Sequence, residues 1–213
     1  MKKYILISIC SIFIFGACAS KESSKEYNKP ASYWYNEIIS NVADLKLDEA
    51  DENYISLESE HRNSPLIPNT LIILANGHVE YGQYELAIYY LDEYAKRFAY
   101  SANIDYIDFL KIRAKFLSFK NHLRDQQLLY DILNNIDDYV LNYPNSPYIH
   151  SIKTIQSRLY MSKTSFEYEI AKLYERVDKP EAAQYYIEQS QSHNIDMSQV
   201  NPAKTPWYKK IFE

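Results

Sequence analysis

Residues Glu85-Leu86-Ala87-Ile88-Tyr89-Tyr90 return 96 residues later as Glu181-Ala182-Ala183-Gln184-Tyr185-Tyr186. Around both copies, apolar residues recur three and four positions apart, which is the spacing of one helix face. Just before the two copies stand Tyr81-Gly82-Gln83, which Tyr84 separates from the first copy, and Asp178-Lys179-Pro180, which directly precedes the second. Gly and Pro in such places end one helix and allow the next to begin. The repeated stretch therefore predicts a helical hairpin that occurs more than once along the chain.

The same helical spacing extends over most of the chain after residue 30. We predict eight helices in four antiparallel pairs: residues 31–45 with 47–62, 67–81 with 84–99, 104–119 with 122–142, and 148–177 with 180–192. The apolar run Leu71-Ile72-Ile73-Leu74-Ala75 is compatible with a strand by its period alone. Its position between two helices predicts a buried helix instead.

The hairpins resemble the tetratricopeptide pattern, in which small residues at helix crossings alternate with aromatic residues that fill the groove beside them. The residues that carry the resemblance are Ala75, His78, Gly82, Tyr84 and Ala87 in the second pair, and Ile170, Ala171, Tyr174 and Ala183 in the fourth. We therefore predict an all-α fold of about four tetratricopeptide-like hairpins stacked into a superhelix. The first and third pairs match the pattern poorly, although Ala50 falls at the expected place.

The composition excludes several classes of protein. The chain has 22 Tyr but only 3 Gly, too few for the many tight turns of a sandwich or barrel and for glycine-rich phosphate loops. The five His residues are scattered, and no catalytic motif is present. We expect no enzymatic activity, no cofactor and no metal site. The formal charge is −5 and argues against nucleic acid as a partner.

The N-terminus has the layout of an export signal, with Lys2 and Lys3 before the apolar run from Ile5 to Phe15. Ala17-Cys18 follows, and the site is similar to a lipobox, in which cleavage between these residues leaves Cys18 first and lipidated. An ordinary signal followed by a chance Cys is the alternative. The sequence predicts a signal peptide at residues 1–17, a lipidated Cys and flexible tether at 18–30, a repeat domain at 31–193 and a Pro-containing tail at 194–213.

Two segments point to one particular family among tetratricopeptide-like proteins: Asn103-Ile104-Asp105-Tyr106-Ile107-Asp108-Phe109 and Tyr143-Pro144-Asn145-Ser146-Pro147-Tyr148. Both resemble the BamD family, the tetratricopeptide lipoproteins of the β-barrel assembly machinery in the Gram-negative outer membrane. The tyrosine-rich run Glu167–Arg176 fits the same family. The resemblance implies a scaffold anchored to the periplasmic face of the outer membrane, which helps assemble β-barrel proteins. Family members often carry a fifth helical pair, whereas the spacing here predicts four pairs followed by the tail at 194–213. A pilotin for a pilus secretin is the alternative.

The resemblance also implies the partners. The N-terminal hairpins would receive unfolded outer-membrane proteins, through a C-terminal signal strand rich in aromatic residues. The C-terminal hairpins would dock a BamA-like barrel subunit, with other assembly lipoproteins in the complex. Some aromatic residues fall outside the main apolar face of their helices, and these are the candidates for substrate contact: Tyr89, Tyr90 and Tyr100. The alternative is that they pack in the core. Candidates for partner docking lie on the last hairpin and the tail: Glu167, Glu169, Lys172, Glu175, Arg176, Trp207 and Tyr208. The alternative is that these residues only cap the last helix.

Overall fold

The structure, a computed structural model, describes residues 26–100, 103–120 and 124–192. In these ranges it contains only α-helices, which confirms the all-α prediction: α1 (Ala31–Ala43), α2 (Leu47–Glu60), α3 (Ile67–Glu80), α4 (Tyr84–Arg97), α5 (Ile104–Ser118), α6 (Gln126–Asn142), α7 (Ile149–Arg176) and α8 (Pro180–Ser192). The predicted helix ends agree within two residues, with one exception. Helix α6 begins at Gln126 rather than at residue 122, because residues 124 and 125 are not helical.

Three of the four hairpins turn in the same way. Leu45, Gly82 and Asp178 have φ values of 59°, 80° and 57°, the left-handed conformation that ends many helices. The residue after each donates a backbone hydrogen bond back into the helix that has just ended: Lys46 to Asn41, Gln83 to His78 and Lys179 to Tyr174, at 2.8, 2.8 and 3.0 Å. The first hairpin therefore turns like the second and fourth, although its sequence matches the repeat pattern poorly. Helix α5 ends differently, because its C-cap residue Phe119 is extended.

Small residues allow the helices to approach one another closely. Ala50, Ala87 and Ala183 occupy equivalent places three residues after the start of α2, α4 and α8, with exposed fractions of 0, 0 and 3%. A Cβ atom on Gly77 of α3 would lie 2.9 Å from Val42 Cγ1. The first and second hairpins are therefore in contact at a point where a residue larger than Gly would force Val42 to shift.

Two apolar cores run along the stack. The first joins α1 to α4 with the start of α5, and its members include Trp34, Ile38, Leu71, Leu91 and Ile107. The second joins the end of α5 with α6 and the first half of α7, around Leu129, Ile136 and Leu159. The predicted helix at Leu71–Ala75 is buried in the first core, as expected.

The second half of α7 and helix α8 bury little apolar surface. Their buried residues are small or polar: Thr164, Glu167, Ala171, Ala183 and Ser190. Large apolar side chains there are half exposed, including Leu173, Val177 and Tyr185. Of the helices in the described ranges, none is long and apolar enough to cross a membrane.

Candidate functional site

A groove of about 520 Å³ lies beside α1 and α2 at the N-terminal end of the stack. The segment Glu26–Tyr27, just before α1, forms part of its wall. The apolar lining comes from Tyr27, Tyr33, Trp34 and Ile55, and the acidic lining comes from Glu26, Glu37, Glu52 and Glu60. Tyr27 and Ile55 are 67% and 64% exposed. The groove therefore offers apolar surface between carboxylates.

Hydrogen bonds hold the chain before α1 against the end of α2. Glu60 accepts one from the backbone N–H of Asn28, at 3.0 Å, and one from the indole N–H of Trp34, at 2.8 Å. His61 Nε2 donates to the carbonyl oxygen of Lys29 at 2.6 Å. The hydrogen bond from Trp34 is the main reason why the pKa of Glu60 lies below its ordinary value. This wall of the groove is thus held in place and carries a negative charge at neutral pH.

The three predicted substrate-facing aromatic residues separate into two groups. Tyr89 is 54% exposed, and Tyr100 is fully exposed in the turn after α4. Tyr90 is only 5% exposed, and its hydroxyl donates a hydrogen bond to Asp51 Oδ1 at 2.7 Å. The prediction for Tyr90 was wrong, because α4 turns this ring toward α2 and α3 and into the first core.

Tyr90 belongs to a polar network that joins the first two hairpins. His78 is 1% exposed, stacks on Tyr90 at a centroid distance of 5.4 Å, and donates to Gln83 Oε1 and Asp51 Oδ1 at 2.6 and 3.0 Å. Burial opposes the charged form of His78, but the hydrogen bonds to Asp51 and Gln83 outweigh burial and raise its pKa above 6.5. A packed, hydrogen-bonded His78 matches the repeat pattern. Asp51 lies 27 residues before His78 and 39 before Tyr90, so helical spacing within α2 gives no sign that it reaches across to α3 and α4.

The two family-like segments meet in the third unit. Ser146 donates a hydrogen bond to Asp105 Oδ2 at 2.8 Å and lies 2.7 Å from the hydroxyl of Tyr139. Tyr143 donates to Asp108 Oδ2 at 2.9 Å. Burial and this hydrogen bond together raise the pKa of Tyr143 to about 12. The two acidic residues of the first segment therefore bind the hydroxyl groups of the second.

Ring contacts complete this junction. Tyr148, at the start of α7, stacks on Phe109 of α5 with centroids 4.9 Å apart and planes at 8°. It also lies 5.1 Å from the ring of Tyr106. Because α5, the turn after α6 and α7 all contribute, these contacts position the third hairpin relative to the fourth.

The predicted docking residues on α7 are mostly at the surface. Glu169, Lys172, Glu175 and Arg176 are exposed, and Lys172 Nζ lies 3.0 Å from Glu169 and over the ring of Tyr168. The hydrogen bond with Glu169 raises the pKa of Lys172. Opposite charges thus alternate with the exposed rings and aliphatic side chains of the fourth hairpin.

Glu167 is the exception on this helix. It is 7% exposed, lies 3.9 Å from Lys163 Nζ, and so does not belong to the free surface. The expectation that it would be available to a partner was wrong, because this position on α7 is buried. The remaining predicted site residues, Ala17, Cys18, Trp207 and Tyr208, lie outside the described residues. In the described ranges, no cluster of three His, Cys, Asp or Glu is placed to hold a metal ion.

Comparison with known proteins places the chain in a family. The sequence model of the family YfiO, described as an outer membrane lipoprotein, matches residues 27–203. The chain is 35% identical over 213 residues to a protein of Helicobacter pylori named outer membrane protein assembly factor BamD. This similarity covers 100% of the chain and 97% of that relative. The chain therefore belongs to the BamD (YfiO) family of outer membrane lipoproteins.

Proposed function

We propose that this protein is a lipid-anchored, non-catalytic scaffold of the β-barrel assembly machinery, which helps to assemble and insert β-barrel proteins into the outer membrane. The observation that carries the proposal is the similarity along the whole chain to an outer membrane protein assembly factor. A stack of helical hairpins supports it, because such stacks present extended binding surfaces. The mechanism is binding and positioning, with no bond made or broken.

Attachment to the membrane is assigned to a lipid on Cys18, at the periplasmic face of the outer membrane. The hydrogen bond from Asn28 to Glu60 holds the chain at the edge of the first hairpin. Asn28 is the tenth residue after Cys18, and a fully extended chain of this length spans at most about 35 Å. The edge of the first hairpin that binds Asn28 would therefore stay within about that distance of the lipid.

The fourth hairpin is our candidate for docking the BamA-like barrel subunit. It exposes Tyr168, Leu173 and Tyr185 next to Lys172, Glu175 and Arg176. Exposed aromatic and aliphatic side chains supply contact area, and mixed charges around them specify orientation. The tail residues Trp207 and Tyr208 would add to this surface, with other assembly lipoproteins bound elsewhere in the complex.

The first two hairpins are our candidate for receiving unfolded outer-membrane proteins. Both the groove beside α1 and α2 and the exposed ring of Tyr89 lie in this half of the stack. A pilotin role is the weaker candidate, because the relative is named as an assembly factor.

Co-purification from outer membranes tests the proposal. We expect the tagged chain to bring down a BamA-like barrel subunit and no secretin. Replacing Cys18 with Ser should leave a folded protein outside the membrane fraction, because the tether separates the lipid from the repeat domain. Recovery of a secretin alone would contradict the role in β-barrel assembly. An unmodified Cys18 in mass spectra of the native protein would contradict the lipid attachment.

Charge-reversed and truncated variants test whether the fourth hairpin docks the barrel subunit. Reversing the charges at Glu175 and Arg176, combined with removal of residues 201–213, should reduce recovery of the barrel subunit about tenfold while the helix content is retained. The matched control exchanges Asp44 and Lys46, an exposed ion pair at the other end of the stack. If the charge-reversed, truncated chain recovers the barrel subunit as well as the control does, the subunit docks elsewhere.

A further inference from the structure

A second pocket, of about 410 Å³, is formed by the turn between α2 and α3, the start of α3 and the end of α4. We propose that this pocket binds a phosphate group, supplied by the headgroup of an anionic phospholipid. The assignment of phosphate rests on the residues that line the pocket. The membrane as its source rests in addition on the proposed lipid on Cys18.

The lining of the pocket is cationic, in contrast to the groove beside α1 and α2. It contains Arg62 and Arg97 and no Asp or Glu. Glu58, which lies outside the lining, accepts a hydrogen bond from Arg97 Nη1 at 2.7 Å and balances the charge of that arginine. Arg62 is exposed, and in the described ranges its side chain makes no ion pair or hydrogen bond. Arg62 therefore supplies the net positive charge of the pocket.

Arg97 is held in place before any ligand binds. Besides its bond to Glu58, it donates a hydrogen bond from Nη2 to the backbone carbonyl oxygen of Arg62 at 3.0 Å. Only 18% of its side chain is exposed. A guanidinium has five N–H donors, so these bonds fix the group without using all of them. Its orientation is set in advance, which lowers the entropic cost of binding an anion.

Further donors lie beside the two arginines. Ser64 Oγ accepts a hydrogen bond at 3.2 Å from a backbone N–H two residues later, so its own hydroxyl proton can be donated to a ligand. The side chain of Asn63 makes no hydrogen bond in the part of the chain described. Helix α3 begins at Ile67, and the positive end of its dipole adds to the attraction for an anion. A phosphate group has more acceptor oxygens than a carboxylate, so this set of donors suits a phosphate better.

The pocket lies where the tether joins the folded domain. His61 Nε2 donates a hydrogen bond to the carbonyl oxygen of Lys29 at 2.6 Å. Arg62 directly follows His61, so the tether and the pocket are attached to adjacent residues at the end of α2. A lipid on Cys18 would keep this end of the stack near the membrane. The concentration of headgroups is high there, and weak binding at the pocket is sufficient.

Apolar side chains complete the lining and distinguish a headgroup from free phosphate. Pro65, Pro68 and Phe98 contribute this surface, and the Phe98 ring centroid lies 5.8 Å from Arg97 Cζ. A phospholipid carries its phosphate next to glycerol carbon atoms, which these side chains can contact. Inorganic phosphate has no such part, so we expect it to bind more weakly than a glycerol phosphodiester.

Vesicle binding tests the proposal. The mature chain carries Cys18→Ser, so that its own lipid does not attach it to the vesicles. Vesicles of phosphatidylcholine alone are compared with vesicles that also contain phosphatidylglycerol, and with vesicles that contain oleic acid at the same surface charge. We expect at least about fivefold stronger binding to phosphatidylglycerol than to either of the others. The reason is that choline neutralises its phosphate, and oleic acid offers only a carboxylate.

Variants locate the binding. Arg62→Gln should weaken binding to phosphatidylglycerol vesicles about fivefold, because it removes the net charge of the pocket. Its fold should be intact, since only the backbone of Arg62 is bonded, and thermal unfolding checks this. The matched control Arg158→Gln removes the same charge from an exposed position on α7 and should leave binding nearly unchanged. Arg62→Lys should lie between, because it keeps the charge without the planar fork.

Soluble ligands distinguish the possible sources of the anion. Nuclear magnetic resonance titrations use inorganic phosphate, glycerophosphoglycerol and a short peptide with a free C-terminal carboxylate. We expect glycerophosphoglycerol to bind most tightly and its binding to be lost in Arg62→Gln. If the soluble phosphates bind at Arg62 but the vesicles do not, the membrane is not the source. Tightest binding of the peptide would overturn the assignment of phosphate.

Two further results would overturn the inference: equal binding to phosphatidylglycerol and oleic acid vesicles, or equal losses in Arg62→Gln and Arg158→Gln. The proposed function is read separately, by mass spectrometry of Cys18 and by co-purification of the native chain with the barrel subunit. A lipidated chain that recovers the barrel subunit but shows no preference for phosphatidylglycerol removes only the phosphate pocket. Loss of the barrel subunit removes the scaffold role and leaves the vesicle result unaffected.

Discussion

The second and fourth hairpins repeat each other in sequence and backbone but not in their surroundings. In both, a left-handed residue ends the first helix, at Gly82 and Asp178, and a small residue is buried at the crossing, at Ala87 and Ala183. Even the ring pairs correspond: His78 stacks on Tyr90 at 5.4 Å and Tyr174 on Tyr186 at 5.5 Å. The local sequence therefore specifies the turn, the crossing and the stacked pair in either place.

What differs is the number of neighbours. The second hairpin lies between the first hairpin and α5, so Tyr90 reaches Asp51 of α2, and Ala87 packs with Ala114 of α5. Helix α8 makes its main contacts with α7. As a result Tyr90 is buried at 5%, whereas Leu173, Val177 and Tyr185 of the fourth hairpin are about half exposed. A terminal repeat with an apolar outer surface is suited to bind a further element.

The largest effect should come from enlarging the crossing residues. Ala87→Leu is expected to destabilise the fold by about 3 kcal/mol, and Ala183→Leu by about 1 kcal/mol. The reason is that Ala87 packs against both α3 and α5, whereas α8, which carries Ala183, makes its main contacts with α7 alone. Urea unfolding measures both. Equal losses would show that the fourth hairpin is packed as tightly as the second.

Removing the corresponding hydroxyl groups should separate the hairpins further. Tyr90→Phe deprives the half-buried Asp51 of a donor at 2.7 Å and should cost about 2 kcal/mol. Tyr186→Phe should change stability by less than about 0.5 kcal/mol, because its hydroxyl makes no hydrogen bond within the part of the chain described. Urea unfolding of the two single variants gives the comparison. A similar loss in both would mean that the networks are equivalent.

The turn residues provide a smaller contrast. Gly82→Ala should cost about 1 kcal/mol, because Ala is strained at a φ of 80° even though nothing lies within 4 Å of the added Cβ. Asp178→Gly should leave thermal stability nearly unchanged, because the relief of strain is offset by greater freedom of the unfolded chain. Thermal unfolding of both variants checks this. A large loss in Asp178→Gly would reveal a role for its carboxylate.

The smallest effect concerns pH. The hydrogen bonds of His78 raise its folded-state pKa above 6.5 despite burial, so its charged form adds stability that is complete below the unfolded pKa. This stability is lost as the pH rises through the folded pKa. Unfolding free energies of the native chain and His78→Gln should therefore converge as the pH rises above 6.5. The matched control is His150→Gln, which replaces an exposed histidine.

Sequence reasoning went furthest where the interactions are local. Helical spacing predicted the helix ends within two residues except at the start of α6, and the repeated Ala and Gly positions predicted the crossings and the turn at Gly82. It failed at Tyr90 and Glu167, which were expected at the surface but are 5% and 7% exposed. Both lie off the main apolar stripe of their helix, so spacing within the helix did not show that a second neighbour would cover them.

The sequence by itself determined the repeated hairpin, because turns and crossings depend on residues a few positions apart. Only the tertiary structure decided which equivalent side chains are buried, since this depends on helices far away in the chain. Asp51 reaches His78 and Tyr90 across the first two hairpins, and Asp105 reaches Ser146 from another helix. The acidic groove likewise depends on contacts between different helices. Its four glutamates are scattered over residues 26–60, and they meet only when α1 and α2 pack side by side.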